Sequence, residues 1–413
     1  MIGRLASVPA FFLFRVAAGL LLLKLSTNML SVSGFAVFSQ FMLFAALLNT
    51  MAIGGAQNGL IRQAAAAGDE QALGRAEGAA LMIWGVVAPI LALIIAFGSG
   101  RISHILVGTT DRWWVVISIA LLALAAGPGQ IWCSLLTGRT RAASSLAAQA
   151  SGLLAGTAMA ATLIVRGDPA AATIGFASGS LVTMAIAFVL RTGLYVPKAS
   201  RRAVRRETVV LLRYSAAFAA TSTFSSLLLF GLRSLYREDF GSIALGYWLA
   251  ANRISDTSTQ LLGLFMTQFY VPHFTMLQSD AERRALTLRC WVAAIALMGS
   301  IPLVFSMISG PLVRIFLSPA YLPAIPAIRA YMIGDMFRVW ACFAMFTAFA
   351  RGHPGRYAAI EIGTLSLMAG ITVLLIETGE ARAPLLAYAG AYGVTAMLVS
   401  AVFLWRKFIR RPR

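Results

Sequence analysis

Residues 331–346 read YMIGDMFRVWACFAMF, a run apolar enough to lie in lipid that nonetheless carries Asp335 and Arg338. At that spacing the two side chains share one face of a helix. In hydrocarbon such a pair either staples helices together or lines a path that something charged must take. The rest of the chain decides whether lipid is the solvent. Of 413 residues, 59% are hydrophobic and 12% charged, with a mean hydropathy of +0.80, whereas a soluble globular domain carries about 25% charged residues. The chain therefore reads as an all-α, polytopic membrane protein. Its net charge of +19 would suit nucleic acid only if the basic residues gathered on one folded, soluble face. They fall instead in short loops between apolar runs. The charge is topological, and nucleic acid is excluded as a partner.

Apolar runs of about 20 residues, the length that crosses a bilayer core, recur along the sequence. They lie near 9–27, 35–58, 78–98, 113–135, 142–165, 171–191, 209–232, 243–269, 288–308, 325–349, 357–376 and 384–405, which makes about twelve transmembrane helices. The first run reads as retained: Lys24 interrupts its far end and no small-residue cleavage site follows, unlike a secretory signal. The loops RAASS, LYVPKASRRAVRRE, ERRALTLR and RGHPGR and the tail WRKFIRRPR fall on one side. That side collects about 22 of the lysines and arginines against about 7 on the other, which predicts it to be cytoplasmic, with both termini there. No outward loop is long enough for a catalytic domain.

The basic connector 193–208 divides the chain into an N-terminal six-helix lobe, 1–192, and a C-terminal six-helix lobe, 209–413. GFAVFSQ at 34–40 and GYWLAAN at 246–252 open the second span of each half and share a glycine, an aromatic and a terminal carboxamide. Equal span counts and a common starting side predict a parallel repeat about an axis along the membrane normal, a transporter architecture with the substrate path between the halves.

VAAGLLLLKLS at 16–26, GGAQNGLIR at 54–62, ANRISDTSTQLLGLF at 251–265, YMIGDMFRVW at 331–340 and RGHPGRYAAIEI at 351–362 resemble, in this order and at these spacings, the O-antigen and enterobacterial common antigen (lipid III) flippases. The resemblance runs nearly end to end, and departs at the first outward turn, where NMLSVSGF replaces the family's usual Gly-Pro pair. It implies the multidrug, oligosaccharidyl-lipid and polysaccharide exporter fold, with two six-helix lobes forming a V that opens alternately inward and outward. It also implies a substrate: an undecaprenyl-diphosphate-linked oligosaccharide, turned from the cytoplasmic to the periplasmic leaflet of the bacterial inner membrane for assembly of O antigen, enterobacterial common antigen or exopolysaccharide. A polysaccharide polymerase is a candidate partner. No cofactor is implied.

Charges inside the spans are the independent evidence. Each of Arg15, Lys24, Arg253, Asp256, Asp335, Arg338 and Glu361 would cost about 2.5–3.5 kcal/mol at a helix centre, so they should face protein or water. At about 1.5 Å per residue, Arg253 and Asp256 reach depths similar to Asp335 and Arg338, with Glu361 level with Arg338. Arg15 and Lys24 point to opposite faces of a straight helix, about 100° per residue apart, unless it bends at Gly19. Lys24 is favoured for the path, with Arg15 snorkelling to the interface. On the functional reading, Lys24, Arg253 and Arg338 neutralise the carrier's pyrophosphate. Asp256, Asp335 and Glu361 hold the arginines when substrate is absent and take up a proton as partners switch. The structural alternative is a set of satisfied ion pairs, Arg253 with Asp256 and Arg338 with Asp335 or Glu361, that fix helix packing.

Asn49, Gln57 and Asn58 are candidates for sugar hydroxyls, or for glue between helices. Arg62 is an interfacial anchor or a headgroup contact. Trp113 and Trp114 read as an interfacial belt, and His273 as an interfacial residue. Cys133, Cys290 and Cys342 are far apart and no ligand spacing predicts a metal. No phosphate-binding glycine loop appears, so ATP is not the direct energy source. Two rivals remain. A cation-coupled drug antiporter of the same superfamily should present an acidic, aromatic cleft, whereas bases outnumber acids here. A membrane enzyme of glycan assembly would need a larger loop than any present. A lipid II flippase fits the fold but needs about fourteen spans, and this chain has room for about twelve.

Overall fold

The computed structural model describes residues 2–67, 69–139, 141–192, 200–266 and 270–409. The connector stretch 193–199 lies outside them. Helices run as α1 (Ile2–Met29), α2 (Val32–Met51), α3 (Gln57–Ala66), α4 (Glu70–Val107), α5 (Trp113–Ala125), α6 (Gly127–Gly138), α7 (Ala142–Val165), α8 (Pro169–Arg191), α9 (Arg201–Phe265), α10 (Val271–Met276), α11 (Asp280–Phe316), α12 (Ile325–Ala350), α13 (Pro354–Glu377) and α14 (Ala383–Ile409). Nine spans among the described residues are long and apolar enough to cross a membrane. The remaining expected spans correspond to α1 and to two arms of α9, which part at Gly241, where φ is 82° and ψ 170°. An unbroken helix of 65 residues would be about 98 Å long, several bilayer cores.

Local chemistry sets the boundaries. The departure NMLSVSGF forms its turn with serine: Ser31 is extended and its Oγ accepts from the Gly34 N–H at 3.0 Å, capping α2. Asp69 caps α4, which ends at a left-handed Gly108. Asp168 accepts from the N–H groups of Ala170 and Ala171 ahead of α8. The second expected span, 35–58, is cut short. α2 stops at Met51 and the chain turns through Gly54 and Gly55, both at positive φ, which a side chain would resist. In the loop between α13 and α14, the backbone N–H and then the guanidinium of Arg382 hold the Glu380 carboxyl below its usual pKa.

The chain forms two compact units, Met1–Ser234 and Leu235–Arg413. The boundary lies beyond the connector expected at 193–208. Residues 201–208 begin α9, whose start is capped by Ser200, and this first arm packs on the first unit. A Cβ on Gly55 would press on Ala219, and one on Gly78 on Val204.

The first unit is sealed by aromatic and β-branched residues, with Phe41, Val115, Val116 and Ile119 fully buried. The outward face of α4 is apolar too: Val86, Ile90, Leu93, Ile94 and Phe97 are exposed, Phe97 to 90%. A helix that shows its largest apolar side chains outward is solvated by lipid. α7 and α8 meet through Gly152 and Gly156 on one helix and Gly175 and Gly179 on the other. A Cβ on Gly179 would meet the Gly152 carbonyl and, at 2.8 Å, the Gly156 Cα. Such spacing lets backbones touch where lipid supplies no hydrophobic drive for association. In the second unit α12 packs on α11, α13 and α14.

Candidate functional site

The second arm of α9, together with α12 and α14, builds a file of polar side chains around Asp335. On α12, Asp335 is only 2% exposed while its neighbours Ile333 and Phe337 face outward, so the charge points into the bundle. Asp335 Oδ1 accepts from Ser255 Oγ at 2.8 Å and from the Tyr388 hydroxyl at 2.7 Å. Arg338 Nη1 donates to that same hydroxyl at 3.2 Å. Among the described residues no ion pair joins Asp335 to Arg338. The direct pair of the structural alternative gives way to a directional chain, guanidinium to phenol to carboxylate. Arg338 also lies over the Tyr392 ring, 5.5 Å from its centroid, within cation–π range. Tyr331 and Tyr388 stack at 4.5 Å, and Trp248 Nε1 donates to the Tyr331 hydroxyl at 2.6 Å.

This geometry depends on a glycine. A Cβ on Gly334 would collide with the Tyr388 ring, so only glycine at that position lets α14 deliver the hydroxyl between the two charges.

Glu361 on α13 neighbours Tyr357, and shares Cys342 and Tyr392 with Arg338 as surroundings. Its Oε2 is buried with no hydrogen-bond partner among the described residues. No ion pair among the described residues joins Glu361 to Arg338, or Arg253 to Asp256. Asp256 instead accepts from Asn252 Nδ2 at 3.1 Å, one turn earlier. Arg329, nearer the helix end, donates to Ser309 Oγ at 2.9 Å.

The other candidates belong to the first unit. Lys24 is half-buried on α1. The side chains of Arg15, Asn58 and Arg62 lie outside the described residues. Asn49 Nδ2 donates to the Ala45 carbonyl of its own helix while its Oδ1 is buried with no partner among the described residues. Gln57 Nε2 donates to Gln130 Oε1 at 3.3 Å, the gluing geometry.

Sequence reasoning missed several polar residues. Tyr388 and Tyr392, four apart in YAGAYG, share a helix face, and that spacing was the available signal. Glu77, within the glycine-spaced GRAEG, is 4% exposed and gripped bidentately by Arg191, with distances of 2.8 and 2.7 Å, while Trp132 Nε1 donates to it at 3.0 Å. Arg233, just past an expected span, is 4% exposed and donates to Gln40 Oε1 at 3.2 Å.

No family profile matches the chain. The lipid III flippase of Escherichia coli (strain K12) is 21% identical over 401 residues, 96% of this chain and 96% of that protein. The lipid III flippase of Shigella flexneri matches to the same extent. Among solved structures, an inward-facing MATE multidrug resistance transporter of the MOP superfamily superposes with a TM-score of 0.70 at 14% identity, over 96% of this chain and 94% of that one. The fold is that of the MOP superfamily. The lipid II flippase MurJ, in an inward closed conformation, gives 0.69 at 11% identity, over 98% of this chain and 87% of that one. The chain is thus a multi-pass membrane protein with a MOP fold, and its similarity to the lipid III flippases covers 96% of its length. A MOP fold alone is shared by carriers of unlike cargo, so function must be argued from the site.

Proposed function

We propose that this protein is a flippase for a polyprenyl-diphosphate-linked oligosaccharide, moving it from the cytoplasmic to the periplasmic leaflet of the inner membrane by alternating access. Arg338 carries the reading. It is a guanidinium within a span, contacted by a phenol and an aromatic face and tied, among the described residues, to a carboxylate through a hydroxyl. A guanidinium held in this way keeps its fork for the bidentate grip that phosphate oxygens favour. The substrate class comes from the full-length likeness to lipid III flippases. Arg253 and Lys24 add cations, and Arg15 and Arg62 serve nearer the interfaces. Asp335 ends the donor chain, so its protonation would release the Tyr388 hydroxyl and loosen Arg338. Asp256 and Glu361 are further coupling carboxylates, and Asn49, Gln57 and Asn58 are the glycan-facing candidates. Both termini are cytoplasmic, and the protein performs transport without bond chemistry. A drug antiporter is the second reading, favoured by the multidrug transporter neighbour; its cationic cargo would select against the arginines.

The test is complementation of a flippase-deficient strain at matched membrane abundance. Arg338→Ala should abolish surface glycan with abundance preserved, and Asp335→Asn should reduce it. If abundance instead falls in both single variants and returns in the double, the pair is a staple and the proposal loses its central residue.

A further inference from the structure

Two cavities adjoin at the arginine-rich end of the second unit, away from the Asp335–Arg338 file. The larger, about 600 Å³, is an apolar groove among α12, α13 and α14, lined by Ala348, Ala359, Gly363, Leu398 and Val402. Its two hydroxyls are spent: Thr364 and Thr395 lie 2.9 Å apart, so that one hydroxyl donates to the other, which donates to a carbonyl of its own helix. Leu398 is 62% exposed, so the groove opens on the outer face of the bundle. Its lining on α13 runs from Arg356 to Leu367, about 16 Å of helix. That is about half of a 30 Å hydrocarbon core, a single leaflet.

The smaller cavity, about 150 Å³, shares Ala344 and Val399 with the groove and is lined by Arg283, Arg284 and Arg351 with Phe274, Trp291 and Trp340. Arg283 and Arg351 both lie over the Phe274 ring, at 5.6 and 5.8 Å. Two guanidiniums on one ring repel each other. The acid paired with Arg283 is Asp280, at 3.7 Å, and its side chain is 69% exposed. Arg283 Nε is buried with no hydrogen-bond partner among the described residues. The cup therefore has positive charge in excess, and it opens beside a slot that fits one hydrocarbon chain. Basic pockets between transmembrane helices at the cytoplasmic face take anionic lipid headgroups.

We propose that the two cavities form one site for an anionic glycerophospholipid, with its phosphate against Arg283 and Arg351 and one acyl chain along α13. A leaflet-length groove fits such a lipid better than a long polyprenyl chain. The site is thus a bilayer-lipid site separate from the transported cargo.

The experiment uses the purified full-length chain, with lipid occupancy read by native mass spectrometry and affinity by titration of phosphatidylglycerol against phosphatidylcholine of matched chains. Wild type should retain one phosphatidylglycerol and prefer it about tenfold or more, because phosphatidylcholine offers the same phosphate but brings a quaternary ammonium against the arginines. Arg283→Gln/Arg351→Gln should lose the preference, and the corresponding lysine variant should recover part of it. Gly363→Leu should weaken both lipids, because a Cβ there meets nothing within 4 Å and the larger side chain fills the groove without disturbing the helix. Retained preference in the glutamine variant, or unchanged binding in Gly363→Leu, overturns the proposal. So does displacement of phosphatidylglycerol by undecaprenyl phosphate at equal or lower concentration, which would assign the site to the carrier. Failure here leaves the Arg338 complementation result untouched, and failure there leaves this titration untouched.

Discussion

Gly334 shows how a residue with no side chain builds the charged file. Its missing Cβ makes room for Tyr388, and Tyr388 then intervenes between Asp335 and Arg338. Gly334→Ala should cost about 1–3 kcal/mol, the usual penalty for overpacking a close contact. Gly363→Ala, in open space on the neighbouring α13, should be neutral or stabilise by up to about 1 kcal/mol through helix propensity. Thermal unfolding of the purified variants checks the contrast; equal melting temperatures would contradict the close approach. The charges were legible in the sequence because each stands out against apolar neighbours and shares a face at helical spacing. Their arrangement was not. The hydroxyl between them comes from a helix 50 residues away, and periodicity within one helix carries no information about which side chain faces it from another.

Among elements, spans were legible because their length answers to the thickness of a bilayer, and bends were not. α2 ends at Met51 because Gly54 and Gly55 turn the chain, and their two positive φ angles override a continuing apolar pattern, whereas the break of α9 at Gly241 falls in the polar stretch RSLYREDFGS that already separates two expected spans. The grip between α4 and α8 was hidden because Glu77 and Arg191 lie 114 residues apart. Removing one partner of a buried ion pair strands a charge, which costs about 3–5 kcal/mol, whereas replacing both with apolar residues of similar volume is often neutral. Arg191→Ala should therefore melt well below wild type, and Glu77→Met/Arg191→Met should recover most of the loss. Arg191 is part-exposed and can turn to solvent when stranded, so Glu77→Ala alone should cost less than Arg191→Ala, which leaves a buried carboxylate unpaired. Melting of the three variants in one detergent decides it; no recovery in the double variant would mean that the pair itself, rather than relief of a stranded charge, holds the helices.

For the whole molecule, the uneven distribution of lysine and arginine makes a topological prediction. That prediction places the exposed loop residues Asp111 and Thr378 on the outer side and the exposed loop residues Gln278 and His353 on the cytoplasmic side. The native cysteines, Cys133, Cys290 and Cys342, are all buried and should not compete for label. Single cysteines at 111 or 378 should react with a membrane-impermeant maleimide in intact cells, and those at 278 or 353 only after permeabilisation. The reverse pattern would invert the assigned sides. Following transport in such a protein requires a ruler that stays still while other helices move, and the glycine contact between α7 and α8 offers one. Where two backbones touch directly, no side-chain rotamer between them can rearrange. Spin labels on the outer faces of those two helices should keep a constant separation through the cycle, an internal standard against which displacements within the first unit can be measured.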